Sequence, residues 1–136
     1  QTFGKEMAEH FLPYLWERKI TLIVPVPLHS RRKRKRGFNQ AEIVAKVLSK
    51  NTGIAMDAGA VKRIKATSPQ KELGDKGRKR NIRGAFAVQK NVKGENIVLI
   101  DDIYTTGSTL DEAARVLKKA GAENVYFLTV SIGQGI

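Results

Sequence analysis

Two adjacent acids, Asp101 and Asp102, end the apolar run Val98-Leu99-Ile100 and lead into Ile103-Tyr104-Thr105-Thr106-Gly107-Ser108-Thr109. The chemistry this stretch can do is capture of a phosphorylated sugar. Thr105, Thr106, Ser108 and Thr109 bring hydroxyl donors to one turn, and Gly107 lets the backbone approach an anion, with a positive φ where the turn needs one. If the turn opens a helix, unpaired N–H groups and the helix dipole favour a phosphate there. Carboxylates beside a phosphate repel it unless they face something else, and sugar hydroxyls or a hydrated Mg2+ ion suit them. A ribose phosphate meets both demands. The competing reading is a hydrophilic strand-to-helix turn whose acids and hydroxyls only cap the helix. No GxxxxGK[ST] occurs and the turn holds no lysine, which disfavours a P-loop nucleoside triphosphatase.

A second chemistry lies in the charge. The 136 residues carry 25 Lys and Arg against 13 Asp and Glu, a formal charge of +12. Arg31, Arg32, Lys33, Arg34, Lys35 and Arg36 contribute +6, residues 62–83 contribute +7, and all other residues sum to −1. Basicity confined to two segments describes an anion-binding surface, for nucleic acid or for a small polyphosphate. Solvated loop charge is the alternative, and charge alone does not choose. With no cysteine and only His10 and His29, disulfides and thiolate zinc sites are absent and metal catalysis on side-chain nitrogen is nearly excluded. No apolar run approaches the roughly 20 residues that span a bilayer, and no signal peptide is legible, so a soluble, cytoplasmic protein without membrane insertion is expected.

These groups need a scaffold. Phe3, Met7, Phe11 and Leu15, with Leu12 beside them, mark a helix over 3–18 that Pro13 is expected to kink or break. Ile20–Val24 reads as a buried strand closed by the extended Pro25-Val26-Pro27. Asn39 and Glu42 resemble a capping box before a helix with the stripe Ile43, Val44, Val47 and Leu48, ending near Gly53. A weaker strand is expected within 54–64, then a long polar connection over 65–84 containing Pro69, Gly74, Gly77 and Gly84. Asn96–Ile100 reads as a strand covered on both faces. Thr109 and Glu112 suggest a capping box for a helix with Leu110, Ala113, Ala114, Leu117 and Ala120 at helical spacing, stopped by Gly121. Val125–Val130 follows as a strand. The succession predicts one α/β domain over 1–136, a mainly parallel sheet flanked by helices.

The stretch Val98–Thr109 resembles the 5-phosphoribosyl-1-pyrophosphate (PRPP) signature of the type I phosphoribosyltransferases. Val24-Pro25-Val26-Pro27-Leu28, Arg36-Gly37-Phe38-Asn39-Gln40-Ala41, and Arg63 with Thr67, Gln70, Arg78, Asn81, Ala85 and Phe86 are similar to the ComF branch of that family. The resemblance covers roughly residues 5–131. It implies the type I phosphoribosyltransferase fold, with Asp101 and Asp102 on the ribose 2′ and 3′ hydroxyls and the Thr105–Thr109 turn on the 5′-phosphate, Tyr104 packing within the motif. It further implies a pyrophosphate loop at Val26, Pro27, Leu28 and His29, and a flexible loop contacting PRPP through Arg63, Thr67, Gln70, Arg78 and Asn81. Arg63 and Arg78 would join the two acids in catalysis. Mg2+ would arrive on PRPP, held by Asp101 and Asp102 through water and by no direct protein ligand.

The same resemblance implies a role in DNA uptake during natural transformation. Arg31–Arg36 would bind single-stranded DNA, beside a helicase partner of the ComFA type. An active transferase of nucleotide metabolism and a non-catalytic nucleic-acid adaptor are the alternatives. Family members carry an N-terminal cysteine-rich zinc module that this sequence lacks, so a trimmed start is expected. Outside the motif, Phe38 is read either as a base-stacking group or as a staple on the next helix. His10 reads as structural, and Tyr14 and Trp16 as core or interface.

Overall fold

A computed structural model describes residues 2–27, 39–64, 82–102 and 107–130 of the chain. The elements in order are α1 (Thr2–Glu17), β1 (Leu22–Pro25), α2 (Gln40–Thr52), β2 (Ala55–Met56), β3 (Val61–Arg63), β4 (Phe86–Val88), β5 (Asn96–Asp102), α3 (Gly107–Lys119) and β6 (Asn124–Val130). Four strands form a wholly parallel sheet in the order β2-β1-β5-β6, and β3 and β4 form a separate antiparallel pair.

β5 is the axis of the sheet. Ile97, Val98, Leu99 and Ile100 are each fully buried, and burial of side chains this size contributes about 1.5–3 kcal/mol apiece. Successive side chains point to opposite faces. Ile97 and Leu99 pack with Val24, Val26, Phe86, Ala113 and Leu117, under α3 and the β3-β4 pair. Val98 and Ile100 pack with Leu15, Ile23, Val44 and Leu48, under α1 and α2.

Several expectations are corrected in detail. α1 is continuous through Pro13, which lies on the exposed side, so the proline does not break the helix. Strand β1 extends to Pro25, which lies opposite Ile100. The pairing is one-to-one from Leu22 opposite Ile97 to Pro25 opposite Ile100, and just beyond it the Val26 N–H donates to Ile100 O at 2.8 Å. In a parallel ladder alternate residues donate to the same neighbour, so with Val26 donating to β5 the N–H that Pro25 lacks falls on the β2 side, beyond the last β2 pair at Ile23 and Met56. The expected strand in 54–64 divides: β2 joins the parallel sheet, whereas β3 turns away to pair with β4, a short strand not anticipated. In α2 the buried residues are Ala41, Val44, Ala45 and Leu48, while Ile43 is exposed. Ala120 lies past the end of α3 and is exposed.

Neither expected capping box forms. Asn39 does cap α2 through its side chain, but Glu42 pairs forward with Lys46 at 3.3 Å. α3 starts at Gly107, which places Thr109 and Glu112 inside the helix. Glu112 is buried and accepts the Gly84 N–H at 3.0 Å together with a two-pronged bond from Arg115, at 2.8 and 2.7 Å. It thereby ties the start of β4's approach to α3. The Arg115 bonds hold the Glu112 carboxyl below its ordinary range against the opposing effect of burial, and the Gly84 N–H adds to them.

Because that folded-state value is depressed, the stabilisation is full above the ordinary glutamate value near 4.5 and is lost as pH falls through the lower, folded one. Glu112→Gln is expected to lower stability at pH 7 by about 1–2 kcal/mol, the effect of weakening a buried bond set. The gap between variant and parent should close on acidification below the ordinary glutamate range, as read by chemical denaturation at a series of pH values. A gap that persists unchanged in acid would contradict the assignment.

Candidate functional site

The sheet order locates a crevice. From β1 the chain crosses by α2 to β2 on one side, and from β5 it crosses by α3 to β6 on the other. Neighbouring strands whose crossovers leave in opposite directions splay at their carboxyl ends, and open α/β sheets bind ligands there. Here the neighbours are β1 and β5. The residues at their ends are Pro25, Val26 and Pro27 on one side, Asp101 and Asp102 on the other.

Asp101 is 2% exposed and pairs in register with Thr129 of β6. By strand alternation it continues the face of Ile97 and Leu99, toward α3 and the β3-β4 pair. Asp102 closes β5 opposite Val130. The acids thus lie one and two residues beyond Ile100, whose carbonyl takes the last β1 hydrogen bond. After four intervening residues α3 begins, so the acids and a helix N-terminus share one edge of the sheet. At that N-terminus no described atom lies within 4 Å of where a Gly107 Cβ would stand, Ser108 is half-buried and Thr109 is 4% exposed.

Val26 is buried, with both backbone polar groups engaged: its N–H donates to Ile100 O at 2.8 Å and its carbonyl accepts from Asn39 Nδ2 at 3.2 Å. Pro27 is half-buried and has no N–H. These two residues therefore shape the crevice and offer an anion no backbone donor. Arg63 is half-buried in β3, with its guanidinium carbon 5.4 Å from the Phe86 ring centroid, a cation–π arrangement. It belongs to the hairpin covering the Asp101 face. Leu28, His29, Arg31–Arg36, Phe38, Thr67, Gln70, Arg78, Asn81, Tyr104, Thr105 and Thr106 lie outside the described residues.

Two residues near this edge carry more than their sequence context suggests. Asn39 reads as a helix cap and is also bonded across to Val26. Glu112 reads as a cap and is a tether to Gly84. The available signal for the first was the choice of Asn over Ser or Asp, since only Asn adds an N–H donor to the capping oxygen. For Glu112, a glutamate three residues before an arginine signals a pair but not burial.

Known proteins are similar to this chain in sequence and in fold. The model of the phosphoribosyl transferase domain matches residues 16–132. The DNA utilization protein YhgH of Salmonella typhi is 43% identical over 103 residues, which cover 76% of this chain and 45% of that protein. Competence protein F of Haemophilus influenzae is 42% identical over 106 residues, covering 76% and 46%. Competence protein ComFC of Bacillus subtilis is 36% identical over 111 residues, covering 80% and 43%. The chain spans a little under half the length of these curated relatives. Among solved structures, a purine phosphoribosyltransferase from Pyrococcus horikoshii aligns with 96% of this chain and 74% of its own at a TM-score of 0.53 and 16% identity, a likeness of fold. From motif, topology and relatives together, the chain belongs to the phosphoribosyl transferase domain family, in its ComF branch.

Proposed function

We propose that this domain binds PRPP at the β1–β5 crevice and serves a ComF-type protein in handling single-stranded DNA during natural transformation. The observation that carries the reading is the placement of Asp101 and Asp102 at the end of the central strand, separated by four residues from a helix N-terminus, at the point where the crossovers diverge. Asp101 and Asp102 accept the ribose 2′ and 3′ hydroxyls, and the Thr105–Thr109 turn with the first N–H groups of α3 takes the 5′-phosphate. Val26 and Pro27 frame the pyrophosphate end, with Leu28 and His29 as its contacts and Arg63, Thr67, Gln70, Arg78 and Asn81 closing from the other side.

Transfer from PRPP develops positive charge on ribose carbon 1 as pyrophosphate departs. The protein's part is to hold both ends of the sugar phosphate, exclude water and steady the leaving group with Arg63 and Arg78. The donor set suits Mg2+: Asp101 supplies hard carboxylate oxygen at a buried position, and with Asp102 it would hold the ion through water. When bound, Mg2+ neutralises charge on the departing pyrophosphate. Among the described residues no three His, Cys, Asp or Glu side chains converge as metal ligands, and no helix is long and apolar enough to cross a membrane.

The confinement of charge supports the nucleic-acid half of the proposal. A small sugar phosphate does not need two segments of +6 and +7, whereas a DNA backbone rewards them. A helicase of the ComFA type, itself acting on DNA, is the partner the reading suggests, in the cytoplasm.

Two measurements test the two halves. Asp101→Asn combined with Asp102→Asn is expected to weaken Mg2+-dependent PRPP binding by about 100-fold or more in calorimetry, since two charge-assisted bonds are lost. Unchanged affinity in the folded variant would remove the site assignment. Replacing Arg31, Arg32, Lys33 and Arg34 with Ser should weaken single-stranded DNA binding and reduce the slope of log K against log salt by up to about 3, near 0.7 per phosphate contact. Identical affinity and slope would mean that the run is solvated charge.

A further inference from the structure

Asn39 joins two ends of chain that the sequence separates. Its side chain is 6% exposed and uses both halves of its amide: Oδ1 accepts the Ala41 N–H at 3.0 Å, and Nδ2 donates to the Val26 carbonyl at 3.2 Å, thirteen positions earlier. The two partners fix which way the amide points, because an N–H must meet the oxygen and a carbonyl must meet the nitrogen. The first bond caps α2. Asp or Ser would cap as well as Asn does, so the cap alone does not call for an amide. The second bond does. From Asn39 the connection continues through Val26 to the Ile100 carbonyl and so to the residue before Asp101.

We infer that Asn39 is a positioning residue for the pyrophosphate end of the site, acting by fixing the Val26 carbonyl and with it the direction in which the chain leaves β1 beside Asp101. The inference rests on the PRPP reading above and adds a division of labour to it. On that reading the sugar and its 5′-phosphate are held from β5 and α3, to which the Asn39 side chain makes no hydrogen bond among the described residues. The leaving group is met by chain departing from β1, whose exit Asn39 sets. Loss of the amide donor therefore acts on one end of the ligand only.

Asn39→Ser separates the two bonds, keeping a capping oxygen while removing the donor to Val26, and Asn39→Ala removes both. Calorimetry with Mg2+-pyrophosphate and, separately, with ribose 5-phosphate reads the two ends of the site, and thermal melting reads the cap. For Asn39→Ser the expected result is a pyrophosphate affinity lowered about tenfold, the scale of one well-placed hydrogen bond, with ribose 5-phosphate affinity unchanged and melting lowered only by the loss of the single bond to the buried Val26 carbonyl, less than in Asn39→Ala. Asn39→Ala should show the same ligand selectivity at a lower melting temperature. Three results would overturn the inference: unaltered pyrophosphate binding in Asn39→Ser, equal loss of both ligands, or an effect confined to Asn39→Ala, which would assign it to the cap. If the parent protein binds neither ligand, the PRPP reading itself fails, and that outcome is visible before any variant is made.

Discussion

A strand covered on both faces has to satisfy two different neighbours at once, and in this domain that demand falls on β5. Its odd-numbered side chains meet α3 and the β3-β4 pair, and its even-numbered side chains meet α1 and α2. A slip of one residue would exchange the two sets and present each cover with the wrong shapes. The register is therefore fixed by packing along Ile97–Ile100. The position of Asp101 and Asp102 follows from it, since they are the next two residues of the same strand. Burying a carboxylate at the end of such a strand is costly unless it is paired or hydrogen-bonded there. The core thus supplies the precision that the polar edge needs.

Around that strand the domain separates rigid support from variable chemistry. The crossovers diverge at β1 and β5, opening the crevice without any special residue. The chain on either side of the crevice is then tied at its necks. Asn39 ties Val26 to the start of α2, and Glu112 ties Gly84 to α3. Both tethers are buried polar side chains that bond backbone groups, which holds a chain's direction without specifying what it carries.

Much of this was legible in residue patterns. The run at 96–100 announced a two-faced strand, Asn39 and Gly53 marked the ends of α2, and the acids marked the end of β5 ahead of α3. What escaped has common physical causes. Pro25 was read as a strand's end, although the N–H it lacks would point away from β5, so the β1–β5 ladder runs through it in register. The start of α3 was placed two residues late, because Thr109 and Glu112 have the spacing of a capping box. Burial, decided by distant chain, turned Glu112 to another use. β3 and β4 are three residues each, too short for alternation to declare itself, and their pairing depends on contacts that local sequence does not contain. Several proposed ligand contacts, among them Thr105, Thr106, Arg78 and Asn81, lie outside the described residues.

The topology also bears on how freely the intervening segments can change. β1 and β5 are adjacent in the sheet although Leu22 and its partner Ile97 are far apart in sequence, so folding must close a large loop before their contacts form. Loop-closure entropy grows only with the logarithm of length, about 0.6 kcal/mol for each doubling. Lengthening or shortening the connections between β1 and β5 therefore changes stability little, provided their anchored ends are kept. The two basic segments fall within those connections. Selection can alter the reach and charge of these connections almost independently of the core, and a single phosphoribosyl transferase domain scaffold can carry different segments there without being rebuilt.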